Sequence, residues 1–324
     1  MPTRRDLPVA LAALGLAGTP ACRTLASPGA GSVNRLVVPF PPGGATDIFA
    51  RLVADRLSVS TASRIAVDNR PGGGTVIGSL AVARSRPEEG VLGVVVSAHT
   101  INAALRHDLP YDTLTEFSHI TQLARAHIVI VAGAAFEATT LAEVVALSHR
   151  RDGGLSVATP GIGTVMHMTL ELLARDSGAR LVHVPYSGAA PAVGDVAAGR
   201  VDLMIDPWVS ARAGVDAGRL KVIAATGAAP VPGAAWIPRA AETWPGLSTY
   251  SMVGLVGPAG MGALAVGALA AATRTVLLDP AIAPTLTGMG LEPVASSPAE
   301  FRSFVEAEVA RWRDVAASRG IRLL

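Results

Sequence analysis

Six short segments of this 324-residue chain put glycines and small polar residues where an apolar run gives way to a helical pattern. The first is Val38-Pro39-Phe40-Pro41-Pro42-Gly43-Gly44-Ala45-Thr46-Asp47. Two prolines stiffen the exit, two glycines let the backbone turn, and a helix is expected to begin near Thr46. Such a turn aims successive N–H groups at an anion, and the helix dipole adds to the attraction. No Gly-Lys-Ser/Thr follows, so this is not a nucleotide P-loop. Thr46 is equally a candidate N-cap. Asp47 either complements the dipole or accepts a hydrogen bond from a ligand ammonium, hydroxyl or bridging water.

The segment Thr159-Pro160-Gly161-Ile162-Gly163-Thr164 has the same build and runs into a helix carrying His167 and Glu171. Two such nests are what a clamp on one anion needs. Ser97, His99 and Asn102 follow the most apolar strand candidate and suit carboxylate or hydroxyl recognition, although a capping or packed role for His99 stays open. Tyr186, Ser187 and Gly188 close another strand. Asp206 ends a further buried-looking strand and should have a hydrogen-bond partner. The remaining Gly-rich stretch, Gly72 to Gly78, misses the dinucleotide spacing by one residue and lacks the later strand-end acid.

Catalytic signatures are missing from the sequence. It holds no G-x-S-x-G elbow, no H-E-x-x-H and no kinase or Walker motif. His167 and Glu171, four apart, lack the two or three further ligands a metal would need. No metal or cofactor is therefore expected.

The elements that must hold these loops read as alternating strands and helices. Strands are expected at 36–40, 64–67, 91–97, 128–132, 155–158, 181–184, 201–205, 221–225 and 252–256. Ile48, Phe49, Leu52, Val53 and Leu57 give one apolar helical face over 45–57; Val165, Met168, Leu172 and Leu173 give another over 164–175. Ser297 with Glu300 forms a capping box ahead of a C-terminal helix faced by Phe301, Phe304, Val305, Val309 and Trp312. The pattern is that of an α/β fold with mostly parallel strands, in which ligands meet the carboxyl ends of strands. The uncharged window 252–273 is rich in Gly and Ala and reads as strand, turn and helix rather than a membrane span.

The leader separates from this pattern. Arg4 and Arg5 precede an uncharged run from Leu7 to Cys22 and small residues to Gly31, the parts of an export signal over 1–30, with Thr3-Arg4-Arg5-Asp6-Leu7 resembling a twin-arginine type. Cys22 is the only cysteine. It is either a lipid attachment point or is discarded with the leader, and it permits no intrachain disulfide. Arg4, Arg5, Arg23 and Asp6 carry a net of +2, which is the formal charge of the whole chain, so the rest is neutral. A neutral remainder leaves no basic footprint for nucleic acid.

Taken in order, these segments resemble the solute receptors of tripartite tricarboxylate transporters, the Bug-type family. Arg35 to Asp47 is similar to the family's opening motif and Asp68-Asn69-Arg70-Pro71-Gly72-Gly73-Gly74 to its E-N-R-P-G-A-G element. Leu109 to Asp112 matches L-P-Y-D, His183 to Ala192 resembles H-V-P-Y-K-G-x-x-P-A, and Val256 to Gly260 resembles F-A-P-A-G. The resemblance implies a periplasmic-binding-protein-like (type II) fold of two α/β lobes with a central cleft and two hinge crossovers. The expected division is 33–124 plus 251–324 for lobe one and 125–250 for lobe two. It also implies a periplasmic monomer that binds a small organic carboxylate and delivers it to large and small membrane permease subunits, without catalysis. An orphan signalling receptor, or a secreted enzyme using His99 or His167, are the competing readings. The contacts carried over are Pro41, Gly43, Gly44, Ala45, Thr46, Asp47, Ser97, His99 and Asn102 from lobe one. Lobe two would supply Thr159, Gly161, Gly163, Thr164, His167, Tyr186, Ser187, Gly188 and Asp206. Ser187 stands where the family commonly has Lys, and Met166 and Met168 where it often has small polar residues.

Overall fold

The computed structural model describes residues 33–321. The expected leader and Cys22 lie outside the described residues. Strands and helices alternate as β1 (Arg35–Val38), α1 (Ala45–Thr61), β2 (Ala66–Asn69), α2 (Val76–Ala83), β3 (Val91–Val96), α3 (Ala98–Leu105), β4 (Phe117–Gly133), α4 (Leu141–Arg150), β5 (Leu155–Thr159) and α5 (Val165–Ser177). They continue as β6 (Leu181–Pro185), α6 (Ala189–Ala197), β7 (Leu203–Pro207), α7 (Trp208–Asp216), β8 (Leu220–Ala225), β9 (Tyr250–Pro258), α8 (Ala263–Leu277), α9 (Ala283–Gly288), β10 (Leu291–Pro293) and α10 (Pro298–Arg319). Every strand expected from the sequence is present, and apart from β4 the ends shift by no more than a few residues. The window 252–273 forms the end of β9, a turn and the start of α8, and no described helix is long and apolar enough to cross a membrane.

The largest departure from the sequence reading is β4. A strand was expected only over 128–132, but pairing runs from Phe117. Its first part pairs antiparallel with β9 from Phe117↔Pro258 to His127↔Tyr250, and its second with β7 from Ile128↔Pro207 to Ala132↔Leu203. Two register shifts, at His119/Thr121 and Gln122/Ala124, interrupt the alternation of faces along this part.

This long strand joins two sets with the same order. One is β2-β1-β3-β9-β4 and the other is β6-β5-β7-β4, with β8 on β4 as well. In each, a parallel triplet meets an antiparallel fourth strand. Because β4 runs with β1 and β3 but against β5, β6 and β7, the carboxyl ends of both triplets point toward the join at residues 127–128. The chain returns once, where the Thr226 N–H donates to the Ile128 carbonyl and the Thr249 N–H to the Thr226 carbonyl, just ahead of β9.

The helices cover both faces. Phe49, Val53 and Leu57 of α1 pack with Leu36, Val38, Leu92 and Val94. Leu170, Leu172 and Leu173 of α5 pack with Val157, Leu203 and Ile205. α10 spans both sets: Phe301, Val305 and Val309 join the core around β3 and β9, while Trp312 and Val315 join the core around β5 and β7. Its start is the expected capping box, in which the Glu300 N–H donates to Ser297 Oγ at 3.2 Å and the Ser297 N–H to the Glu300 carboxylate at 2.8 Å. Such a cap contributes about 1 kcal/mol.

Candidate functional site

The β1–α1 loop shows how the residues build an anion-facing turn. Gly43 takes φ +86°, a region open to glycine at little cost. Gly44, in extended conformation, is the N-cap of α1, and no side chain caps the helix. Thr46 therefore lies inside the first turn and is not the cap. The N–H groups of Ala45, Thr46 and Asp47 belong to the orphan set of a helix start. Pro41, Gly43, Gly44 and Ala45 are exposed and Thr46 is half-buried.

Asp47 is the support of this loop. It is buried, and its carboxylate accepts from the Gly43 N–H at 2.9 Å, Arg51 Nε at 3.0 Å and Asn69 Nδ2 at 2.7 Å. The Arg51 hydrogen bond leads the Gly43 and Asn69 bonds in holding its pKa down to about 2. Asn69 also donates to the Phe40 carbonyl at 3.0 Å. Holding three donors and almost fully buried, Asp47 shapes the turn from behind. Arg51 and Asn69 were not on the sequence list. The register Val38↔Asn69 brings Asn69 to the loop, and the Asn of the Asp68-Asn69-Arg70 element was the available signal.

The β5–α5 loop is the equivalent turn of the second set. Gly161 and Gly163 take φ +148° and +76°. Thr164 caps α5 by accepting from the His167 N–H at 3.2 Å, and it donates to the Gly161 carbonyl at 2.8 Å. The Gly163 N–H donates to His167 Nδ1 at 3.3 Å. Thr159 is fully buried and its hydroxyl pairs with His183 Nε2 at 2.7 Å. The rings of His167 and His183 stack at 4.2 Å and 16°. His183, absent from the sequence list, thus helps hold the loop. Gly161, Gly163 and Thr164 keep partial exposure.

The β6–α6 turn joins this wall. The Gly188 N–H donates to the Pro160 carbonyl at 3.2 Å, and α6 starts at Gly188 without a side-chain cap. Tyr186 is half-buried with its hydroxyl donating to Asp195 at 2.6 Å, so the phenol is already engaged; Ser187 is exposed.

The remaining candidate residues are buried. Ser97 is buried and its Oγ accepts from the Met252 N–H at 2.8 Å. Asn102 is buried and donates to the Gly74 carbonyl at 2.9 Å, tying α3 to the glycine-rich turn before α2. His99 is 0% exposed, stacked on Tyr111 at 6.2 Å and edge-on to Phe117 at 4.8 Å. Neither ring nitrogen has a partner. Burial, then the nearby His119, pushes its pKa down to about 3. His99 is an aromatic core residue with no surface from which to meet a solute. Asp206 is also 0% exposed. The structure thus divides the candidate residues into an exposed rim made mainly of glycine backbone and a buried layer of side chains that shapes it.

Five buried or half-buried histidines have lowered pKa values, each with burial as the largest cause: His99 to about 3, His119, His167 and His183 to about 4, and His127 as well. The unfolded chain binds protons at these sites below about 6.5, while the fold does not. Stability present above that pH is expected to be lost on acidification from about 6.5 to 4. A thermal denaturation series over that window should show a continuous fall in Tm. A flat Tm would mean that these rings are not held neutral.

Comparison with known proteins places this geometry among solute receptors. A family model described as "Tripartite tricarboxylate transporter family receptor" matches residues 49–321. The UPF0065 protein in the tcbD-tcbE intergenic region of a Pseudomonas species is 30% identical over 279 residues, covering 86% of this chain and 83% of that one. Among solved structures, Rpa4515 of R. palustris with adipate is 31% identical with a TM-score of 0.77, covering 90% and 98% of the two chains. MatC of Rhodopseudomonas palustris with bound malate is 28% identical with a TM-score of 0.72, covering 88% and 98%.

Proposed function

This chain belongs to the tripartite tricarboxylate transporter receptor family, and on that premise we propose that it captures a small dicarboxylate between its two strand sets and passes it to membrane permease subunits. The family is one of periplasmic solute receptors, so the chain is a receptor and not an enzyme. The observation that carries the ligand class is the start of α1. It is a 17-residue helix whose first N–H groups no side chain caps, behind an exposed Pro-Gly-Gly turn. An anion satisfies those groups and gains from the dipole. The glycine-rich β5–α5 loop is the matching contact for a second carboxylate. Adipate and malate, bound by the two relatives, each carry two carboxylates. Arg51 is tied to Asp47 and Asn69, so recognition rests on backbone groups.

The two lobes of this reading are 33–124 with 251–324, and 125–250, hinged where β4 and the return into β9 cross. A ligand that needs both loops binds the closed form better and shifts the population toward it. One copy suffices for the clamp, so the receptor works as a monomer. The leader over 1–30 exports it to the periplasm, with Cys22 as the point to test for lipid.

Ala45→Pro tests the site directly. Ala45 is the first helical residue, where proline is tolerated, and the extended Gly44 before it suits proline too. The substitution deletes one N–H of the rim and leaves the helix in place. A hydrogen bond to a charged group contributes about 1.5–3 kcal/mol, so calorimetry with adipate or malate should show affinity at least about tenfold weaker, with Tm nearly unchanged. Unaltered affinity would remove the α1 start from the site.

A further inference from the structure

Asp206 is the penultimate residue of β7, opposite Val129 of β4. The parallel register Ala158↔Met204, carried two residues on, sets it level with Pro160 at the entry to the β5–α5 loop. Adjacent strands lie about 4.8 Å apart, so the carboxyl stands within a strand or two of the proposed anion. It has no exposed surface, and Oδ1 has no hydrogen-bond partner. Oδ2 meets only the Ser210 hydroxyl, which also lies 3.0 Å from the Pro207 carbonyl. A hydroxyl has one proton and a carbonyl none. That single hydroxyl proton is shared between the carboxyl and the carbonyl, and among the described residues no other donor reaches Asp206.

Among the described residues, no cation pairs with the Asp206 carboxyl. On α7, Arg212 pairs with Asp216 at 3.3 Å in an exposed pair. On α6, Asp195 is held by Tyr186 and Arg200. On α5, His167 neighbours Glu171, which pairs with Arg319, and Arg175 pairs with Asp176 and Asp314. On β4, His127 next to the join pairs with Glu292, while β5 carries no titratable group. Burial pushes the Asp206 carboxyl up to about 7, opposed only by the Ser210 hydrogen bond.

We propose that Asp206 is protonated in the anion-bound receptor, so that capture of a carboxylate by the partly ionised free protein is coupled to proton uptake. The proposal rests on the receptor reading above. An ionised Asp206 within a strand or two of a bound carboxylate would bring two negative charges close together with no counter-charge among the described residues, which favours the protonated form of the buried one. Binding and protonation then favour each other by the same factor.

Calorimetric titration with adipate and with malate at pH 7, in two buffers of different ionisation enthalpy, measures protons taken up. A fractional uptake per ligand is expected in the wild type and none in Asp206→Asn. Affinity should be about tenfold weaker at pH 8 than at pH 6 in the wild type and level in the variant. Binding without proton exchange, or exchange that persists in Asp206→Asn, overturns the proposal. A ligand-free arm separates this from the receptor reading. The fold binds the Asp206 proton between about pH 3.8 and 7 while the unfolded chain does not. The wild type should therefore lose Tm relative to Asp206→Asn as pH rises from 5 to 8. A constant difference overturns the proposal whether or not either acid binds. Failure of both acids to bind, with that trend present, supports the buried proton and counts against the dicarboxylate reading.

Discussion

Asp47→Ala is expected to weaken adipate or malate binding by about a hundredfold while leaving a folded protein. The residue itself presents almost no surface to a solute. Its effect comes through the loop, since one carboxylate accepts from the Gly43 N–H, Arg51 and Asn69, and Asn69 in turn holds the Phe40 carbonyl. Removing it frees the Pro41–Gly44 turn to leave the conformation that aims its N–H groups. A hundredfold corresponds to about 2.7 kcal/mol, the scale of one or two hydrogen bonds to a charged group. The stability cost is smaller, about 2 kcal/mol, because Arg51 is half exposed and water takes over its solvation. Asp47→Asn keeps the volume and one acceptor and should recover part of the binding. Calorimetry beside thermal denaturation separates the two effects. Wild-type affinity in a folded Asp47→Ala protein would show that the β1–α1 loop does not hold the solute.

A second large effect is expected outside the loops, in β9. Gly254 lies in β9 between β3 and β4, and a Cβ there would stand 2.2 Å from Cζ and 3.0 Å from both Cε atoms of Phe301. Phe301 is fully buried at the start of α10 and packs with Val305, Val309 and Met252. It cannot step aside without moving the helix that spans both strand sets. Gly254→Ala should destabilise the protein by about 3 kcal/mol, the upper part of the range for overpacking. Adding Phe301→Leu to Gly254→Ala should regain part of that loss by opening space at the contact. Urea denaturation of the wild type and these two variants measures this. Full stability of Gly254→Ala alone would mean that the β9–α10 contact is loose. Ligand affinity of the folded fraction should stay near wild type, since no rim group is touched.

The order of elements was legible because it depends on neighbours in sequence. Apolar runs mark β1, β3, β5 and β7, one-sided apolar spacing marks α1 and α5, and Ser297 with Glu300 marks the start of α10. Gly43, Gly161 and Gly163 signalled their turns because only glycine readily takes the left-handed backbone found there. The family motifs carried the rest of the fold class. By contrast, the first half of β4 was hidden. His119, Thr121, Gln122, Arg125 and His127 make Phe117–His127 look like a polar connection. All but Arg125 are buried, and the segment forms a strand because β9 and β10 satisfy its backbone from two sides.

By itself, then, the sequence determined which segments become strand, turn and helix, and that glycine-bearing turns close two of the strand ends. Those are matters of local conformational freedom and of apolar spacing over a few turns. Only the tertiary structure decided what each candidate side chain does. Asp47 supports a loop because Arg51, one turn along α1, and Asn69, brought by the β1–β2 register, both reach its carboxylate. His99 became a core ring because Tyr111 and Phe117 close over it. His167 and His183 stack because the β5–β6 register sets Val157 beside His183 and turns that ring toward α5. Hydrogen bonding and burial are set by partners distant along the chain, so the same Asp or His is contact, support or core depending on contacts that no local pattern records.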